Sequence, residues 1–141
     1  MSRAMIAQVL YNLDRDSQPG VSNSFKDGDQ LKWFTDAVGW AASKGLVTGY
    51  SDGTFDGDGL VTREQVVTIL YRYAKMRGMD TSAKADLNFS DSGAVRDYSK
   101  EAMQWAVGCG LINGDGGKLN PGASATREQL ATMIMRFVNL M

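Results

Sequence analysis

Apolar residues recur along this chain in a helical rhythm that is itself repeated. They stand at Val66, Ile69, Leu70 and Tyr73, again at Leu130, Met133, Ile134 and Phe137, and near the start at Ile6, Val9, Leu10 and Leu13. Each set is spaced i, i+3, i+4, i+7, one face of an amphipathic helix. The polar residues that open each set are shared as well: Thr62-Arg63-Glu64-Gln65, then Thr126-Arg127-Glu128-Gln129 64 residues later, with a degraded copy at Ser2-Arg3-Ala4-Met5. Threonine with glutamine three residues on predicts a capping box, in which hydroxyl and amide side chains satisfy the first backbone N–H groups of the helix.

A second pattern precedes each full copy. Trp33, Trp40-Ala41 and Gly45-Leu46-Val47-Thr48-Gly49 are matched by Tyr98, Trp105-Ala106 and Gly110-Leu111-Ile112-Asn113-Gly114. These read as helices stopped by glycine in the left-handed cap conformation. Phe25-Lys26-Asp27 and Phe89-Ser90-Asp91 open the units, and each aspartate is placed to bond backbone amides as the chain turns into its helix. The unit is therefore Phe-x-Asp, helix, glycine stop, Gly/Asp loop and capped second helix. A period of this length marks a chain built from copies of one supersecondary unit, so function is expected on a repeated surface.

Composition narrows the classes. The 141 residues are one domain's worth, enough to bury roughly two thirds of the unfolded surface. A net charge of −1 gives no footprint for nucleic acid or an anionic membrane. No apolar run approaches the roughly 20 residues of a membrane span, and no basic leader with a cleavage site is present, so an export signal would lie upstream. Histidine is absent, which removes the commonest general base and zinc ligand. Cys109, the single cysteine, takes the place of Lys44 in the sister unit and reads as a small filler near the surface with low thiolate reactivity.

The arginine of the shared block poses a physical question. It sits in the first helical turn, where the macrodipole disfavours a cation by roughly 0.3–1 kcal/mol, yet Arg3, Arg63 and Arg127 all keep it. A compensating contact is expected, either an internal carboxylate or an external anion. In the loop Tyr50-Ser51-Asp52-Gly53-Thr54-Phe55, Gly53 supplies positive φ and Phe55 folds onto the core, while Tyr50 and Asp52 offer a ring face and an acceptor of the kind that sugars use. The last unit departs here: against Gly49 to Phe55, its counterpart Gly114-Asp115-Gly116-Gly117-Lys118-Leu119 lacks the tyrosine and is one residue shorter. Trp40 and Trp105 have two readings, anchoring an outer helix on a core helix or stacking on a sugar. Met133, Met135 and Met141 read as core filler and chain end. The stretch Thr54 to Val61 looks like a calcium loop of the dockerin type, but its twelfth position is Gln65, so the bidentate carboxylate is missing. Glu64 and Glu128 belong to separate copies, and nothing in the sequence pairs them as a glycosidase acid and base.

Phe25-Lys26-Asp27, Trp40-Ala41, the stretch from Gly45 to Phe55, and Val61-Thr62-Arg63-Glu64, with their counterparts in the last copy, resemble the S-layer homology module over nearly the whole chain. The resemblance implies an all-α fold: helix-loop-helix modules in a pseudo-threefold prism around a central bundle of three core helices. Here it implies a single domain, 1–141, with residues 1–14 the remnant of module one, 25–77 module two and 89–141 module three. One outer helix is then missing, and exposed apolar surface is expected on the first core helix, inviting a homo-oligomer through that truncated face. The resemblance further implies a bacterial, extracellular anchor without enzymatic activity, cofactor or metal. Its partner would be a secondary cell-wall polysaccharide bearing ketal-linked pyruvate, with no nucleic acid and no membrane insertion. Candidate glycan-binding residues are Arg63, Arg127 and Arg3 for the carboxylate, with Asp52, Tyr50, Gly53, Trp40 and Trp105 around the sugar. The rival reading is a scaffold or oligomerisation module in which the arginines merely bridge helices.

Overall fold

The computed structural model describes residues 1–14, 16–19, 24–30, 32–114 and 116–141; Asp115 of the last loop lies outside them. Among the described residues the chain is helical, with α1 at Arg3–Leu13, α2 at Thr35–Ser43, α3 at Arg63–Met76, α4 at Asp97–Gly108 and α5 at Arg127–Leu140. It forms two compact units, Met1–Leu60 and Val61–Met141.

Local chemistry sets these helices as expected. Thr62 Oγ1 accepts from Gln65 N while Gln65 Oε1 accepts from Thr62 N, and Thr126 with Gln129 repeats the box. At the other end, Gly45 (φ 71°) and Gly110 (φ 82°) let the chain reverse. The Leu46 and Leu111 amides then reach back to Ala41 O (2.9 Å) and Ala106 O (2.8 Å), which closes a Schellman cap. The two outer helices differ at their starts. α4 includes Tyr98, whereas α2 begins only at Thr35, after a 3₁₀ turn at Lys32–Phe34. Lys32 has φ 52°, which an α-helix cannot contain, so Trp33 is left 91% exposed outside the helix.

In the first unit α2 packs on α1, with Trp40 edge-on to Tyr11 at 5.8 Å. In the second α4 packs on α3, with Trp105 against Tyr71 at 5.3 Å, and Phe137 of α5 meets both Tyr73 (5.8 Å) and Trp105 (6.5 Å). A core helix is thus covered by the outer helix that follows it in the chain.

This order corrects the expected position of the open apolar face. On α1, Ala4 and Ala7 are buried and Tyr11 is taken up by Trp40, so the first core helix is not the uncovered one. On α3 the stripe Glu64, Val67, Thr68, Tyr71 and Ala74 is buried. The same positions of α5, namely Glu128, Ala131, Thr132, Met135 and Val138, are all exposed, Met135 to 60%.

Candidate functional site

In both units the block arginine reaches a loop that lies 45 to 56 residues downstream. Arg3 Nε donates to Phe55 O and its Nη2 to Thr48 O, each at 2.9 Å, while its guanidinium lies 4.7 Å from the Tyr50 ring centre and 4.8 Å from that of Phe55. Arg63 Nε donates to Leu119 O at 2.9 Å, the equivalent carbonyl of the next loop. The cost of a cation in the first helical turn is therefore offset by neutral backbone carbonyls, and for Arg3 by two aromatic faces. The arginine beside Tyr50 is Arg3.

The helix starts are tied to the same loops. The Arg3 and Ala4 amides donate to Gly59 O (2.8 Å) and Gly57 O (3.0 Å), and those of Arg63 and Glu64 to Ala123 O (2.9 Å) and Pro121 O (3.0 Å). Amides that would otherwise face water, or an anion, are satisfied internally. Arg127 differs from both: it is exposed, and among the described residues its guanidinium has no hydrogen bond.

The aspartates of the Phe-x-Asp segments act at long range, which corrects their expected local role. Asp27 accepts from Phe55 N and Asp56 N, and Asp91 from Leu119 N and Asn120 N, all at 2.8 Å. These amides, Phe55 and Leu119 foremost, hold both carboxyls below their ordinary pKa. Each loop is thus gripped twice at one point, its amide by an aspartate and its carbonyl by an arginine.

Within the first loop, Tyr50 N donates to Thr54 O at 2.7 Å and Gly53 adopts φ 86°. Asp52 Oδ1 accepts from Thr54 N (2.9 Å) and Thr54 Oγ1 (2.7 Å), and the threonine hydroxyl is the main cause of its lowered pKa. Tyr50 keeps 47% of its surface exposed above Arg3. Trp40 and Trp105, in contrast, are 1% and 2% exposed between helices. Cys109 Sγ lies 3.7 Å from Ala106 O, and burial raises the pKa of its thiol.

Sequence reasoning missed two residues. Glu64, 1% exposed, accepts from Ser99 Oγ (2.9 Å) and Arg96 N (3.2 Å), so it caps the start of α4; its pull adds to burial in raising the Tyr98 pKa. Arg136 on α5 donates from Nη1 to Leu111 O at 3.1 Å. The recurrence of arginine nine residues after the block arginine, at Arg72 and Arg136, was the available signal for the second.

In the second unit these elements enclose a cleft of about 330 Å³, with Arg63 at the α3 end, Leu111 to Gly114 along the loop, and Glu128, Gln129, Thr132, Met133 and Arg136 along α5. Among the described residues its lining has an apolar wall, hydroxyl and amide groups, two guanidinium groups and one carboxylate. Such a lining suits a polar ring with an anionic substituent better than an apolar ligand. Among the described residues no three acidic, cysteine or histidine side chains converge as a metal set, and no helix is long and apolar enough to cross a membrane.

The family model described as the S-layer homology domain matches residues 24–67 and 88–131. Among similar proteins are the Surface-layer 125 kDa protein of Lysinibacillus sphaericus, 30% identical over 98% of this chain and 12% of that one, and the Cellulosome-anchoring protein of Acetivibrio thermocellus, 28% identical over 94% of this chain and 30% of that one. Exoglucanase XynX of Acetivibrio thermocellus is 29% identical over 93% of this chain and 12% of its own length. The chain thus spans less than a third of each of these relatives, and an enzyme name such as the last belongs to a protein about eight times longer.

Proposed function

From the premise that the chain belongs to the S-layer homology domain family, we propose that it is a non-enzymatic anchor which holds a protein to the outer surface of a bacterial cell by binding a secondary cell-wall polysaccharide. Surface-layer and anchoring proteins among its relatives support the anchoring role. The observation that carries the binding mode is the cleft beside Arg63, a polar groove of sugar-ring size with a guanidinium at one end. Arg63 keeps Nε on Leu119 O, which fixes the plane of its fork. Its guanidinium, which lines the cleft, pairs the carboxylate of a ketal-linked pyruvate, while Glu128 and Asn113 meet hydroxyls and Met133 and Ile112 cover the ring.

The first unit offers a second, different patch. There Arg3 lies under Tyr50, whose exposed face takes a sugar ring, and the outer oxygen of Asp52 accepts a hydroxyl. Gly53 shapes this loop. Trp40 and Trp105 hold the outer helices in place and have no part in the contact, and Arg127 lies outside the lining of the second-unit cleft. Two unlike sites on one chain give avidity, because the second contact forms at high effective concentration.

Co-sedimentation with cell-wall sacculi tests the proposal, before and after chemical removal of the non-peptidoglycan polymer. Binding should disappear with the polymer and fall sharply in Arg63→Ala. Equal binding to stripped walls, or to both sacculi in a folded Arg63→Ala variant, would refute it. A second reading, association with another copy of this chain, is favoured by the exposed stripe on α5 and would show as a mass in solution that rises with concentration.

A further inference from the structure

We propose that Asn88 is an acceptor for N-linked glycosylation, the position at which an oligosaccharide carried on a lipid diphosphate is joined to this chain. An exported chain of this family is exposed to such donors before it reaches the wall. Asn88 is no part of the cleft lining. Of the six asparagines, it alone has serine or threonine two residues on, in Asn88-Phe89-Ser90, with no proline between.

The repeat requires neither residue. The corresponding positions of the preceding copy are Ser24 and Lys26, so the Phe-x-Asp segment folds with either pair. What the two copies share is a backbone bond, from Ser90 N to Gly117 O at 3.1 Å and from Lys26 N to Gly53 O at 2.9 Å. The Ser90 hydroxyl adds only an exposed 3.2 Å contact with the same Gly117 carbonyl.

The fold presents this asparagine outward. Ahead of the 3₁₀ turn at Ser92–Ala94 the exposure alternates residue by residue, the pattern of an extended chain: Ala85, Leu87 and Phe89 are half-buried, whereas Lys84, Asp86 and Asn88 are exposed. Phe89 is packed against Gly114, where a Cβ would stand 2.5 Å from its ring. Ser92 Oγ accepts from Phe89 N (3.0 Å) and donates to Leu87 O (2.8 Å). Both neighbours of Asn88 are thus held from within, while its own carboxamide is exposed and has no hydrogen bond among the described residues. A glycan there adds bulk on the solvent side and displaces no packed group.

In the transfer, Asn88 Nδ2 forms a bond to the anomeric carbon of the first sugar as the bond from that carbon to the diphosphate oxygen breaks. The lipid diphosphate departs with the electron pair, and the proton lost from the carboxamide goes to a base of the transferase. Ser90 supplies the hydroxyl by which such an enzyme recognises its acceptor. Asp86, two residues before Asn88 on the same exposed face, offers a carboxylate to a cationic groove.

The test incubates the folded whole chain with a purified bacterial oligosaccharyltransferase and a polyprenyl-diphosphate-linked oligosaccharide, read by intact mass and peptide mapping. Wild type should gain the mass of one oligosaccharide, on the peptide that holds Asn88. Asn88→Gln and Ser90→Ala should gain nothing, and Ser90→Thr should be modified as wild type is. All three variants change exposed side chains, and their far-UV circular dichroism should match wild type. An unmodified wild-type chain overturns the proposal. So does a mass gain that survives in Asn88→Gln, which would place the sugar on another residue. Modification confined to the urea-unfolded chain also overturns it, because the fold would then hide the asparagine.

Discussion

Glu64 and Glu128 occupy the same position of the repeated block, and the structure assigns them opposite energetic weights. Glu64→Ala removes the acceptor of Arg96 N and one of two acceptors of Ser99 Oγ, whose other acceptor, Arg96 O at 3.1 Å, remains. A hydrogen bond to an ionised group contributes about 1.5–3 kcal/mol, so the Arg96 amide dominates the loss. The ion pair with Arg96, at 3.7 Å from Nε on a side chain 72% exposed, adds little. The methylenes of Glu64 leave a small cavity worth roughly 1 kcal/mol. Together these give about 2–4 kcal/mol. Glu128→Ala, on an exposed carboxylate with no hydrogen bond among the described residues, should stay within about 0.5 kcal/mol. Urea unfolding followed by tryptophan fluorescence reads both, since Trp105 stands on the α3–α4 contact that Glu64 caps. At an m-value of roughly 2 kcal/mol/M, the midpoint should fall by about 1–2 M for Glu64→Ala and hardly move for Glu128→Ala. Equal midpoints for the two variants would refute the capping role.

Acid should loosen the fold in a defined window. The folded pKa values of Asp27 and Asp91 lie below the ordinary 3.8, so their contribution is complete above that value and is lost as pH falls through the depressed ones. Stability measured by urea titration should be flat above about pH 5 and fall below about pH 4, with a shallower fall in an Asp27→Asn, Asp91→Asn double variant; an unchanged slope would contradict the aspartate grip. Gly49→Ala should destabilise by about 1–3 kcal/mol, because a Cβ there would stand 2.5 Å from the Phe25 ring and 2.7 Å from Thr54 O, a backbone atom with little room to give. Gly93→Ala, with nothing within 4 Å, is the matched control and should be neutral when both variants are compared by thermal melting.

What the sequence disclosed was what depends on neighbours in the chain. Capping boxes join residues three apart, and glycine stops act over five, so periodicity and residue type suffice to place them. The indole anchors could be proposed from an i, i+7 pattern, but the choice of partner, Tyr11 or Tyr71, needed the packed helices. The bonds that build the site span 28 to 56 residues, from Asp27 to Phe55 or from Arg63 to Leu119. Such contacts depend on the path of the chain, and spacing alone cannot say which loop an arginine meets. Arg136 stayed hidden for a related reason: among polar positions on an amphipathic helix, an exposed arginine and one that lines a cleft have the same periodicity.

The offset between core and outer helices alters where this polypeptide can be divided. Sequence repeats run 25–77 and 89–141, but the units that pack together run Met1–Leu60 and Val61–Met141. The two schemes are about half a period out of phase. A fragment cut to the repeat, residues 25–77, would hold α2 without α1 and α3 without α4, stranding both Trp40 and Tyr71 from their aromatic partners. Each repeat is like half a hinge, with its counterpart encoded in the adjoining copy. Duplication or deletion of one period can therefore preserve every contact type, because the new junction joins the same two halves, whereas excision of one repeat on its own yields a piece with two unmatched edges.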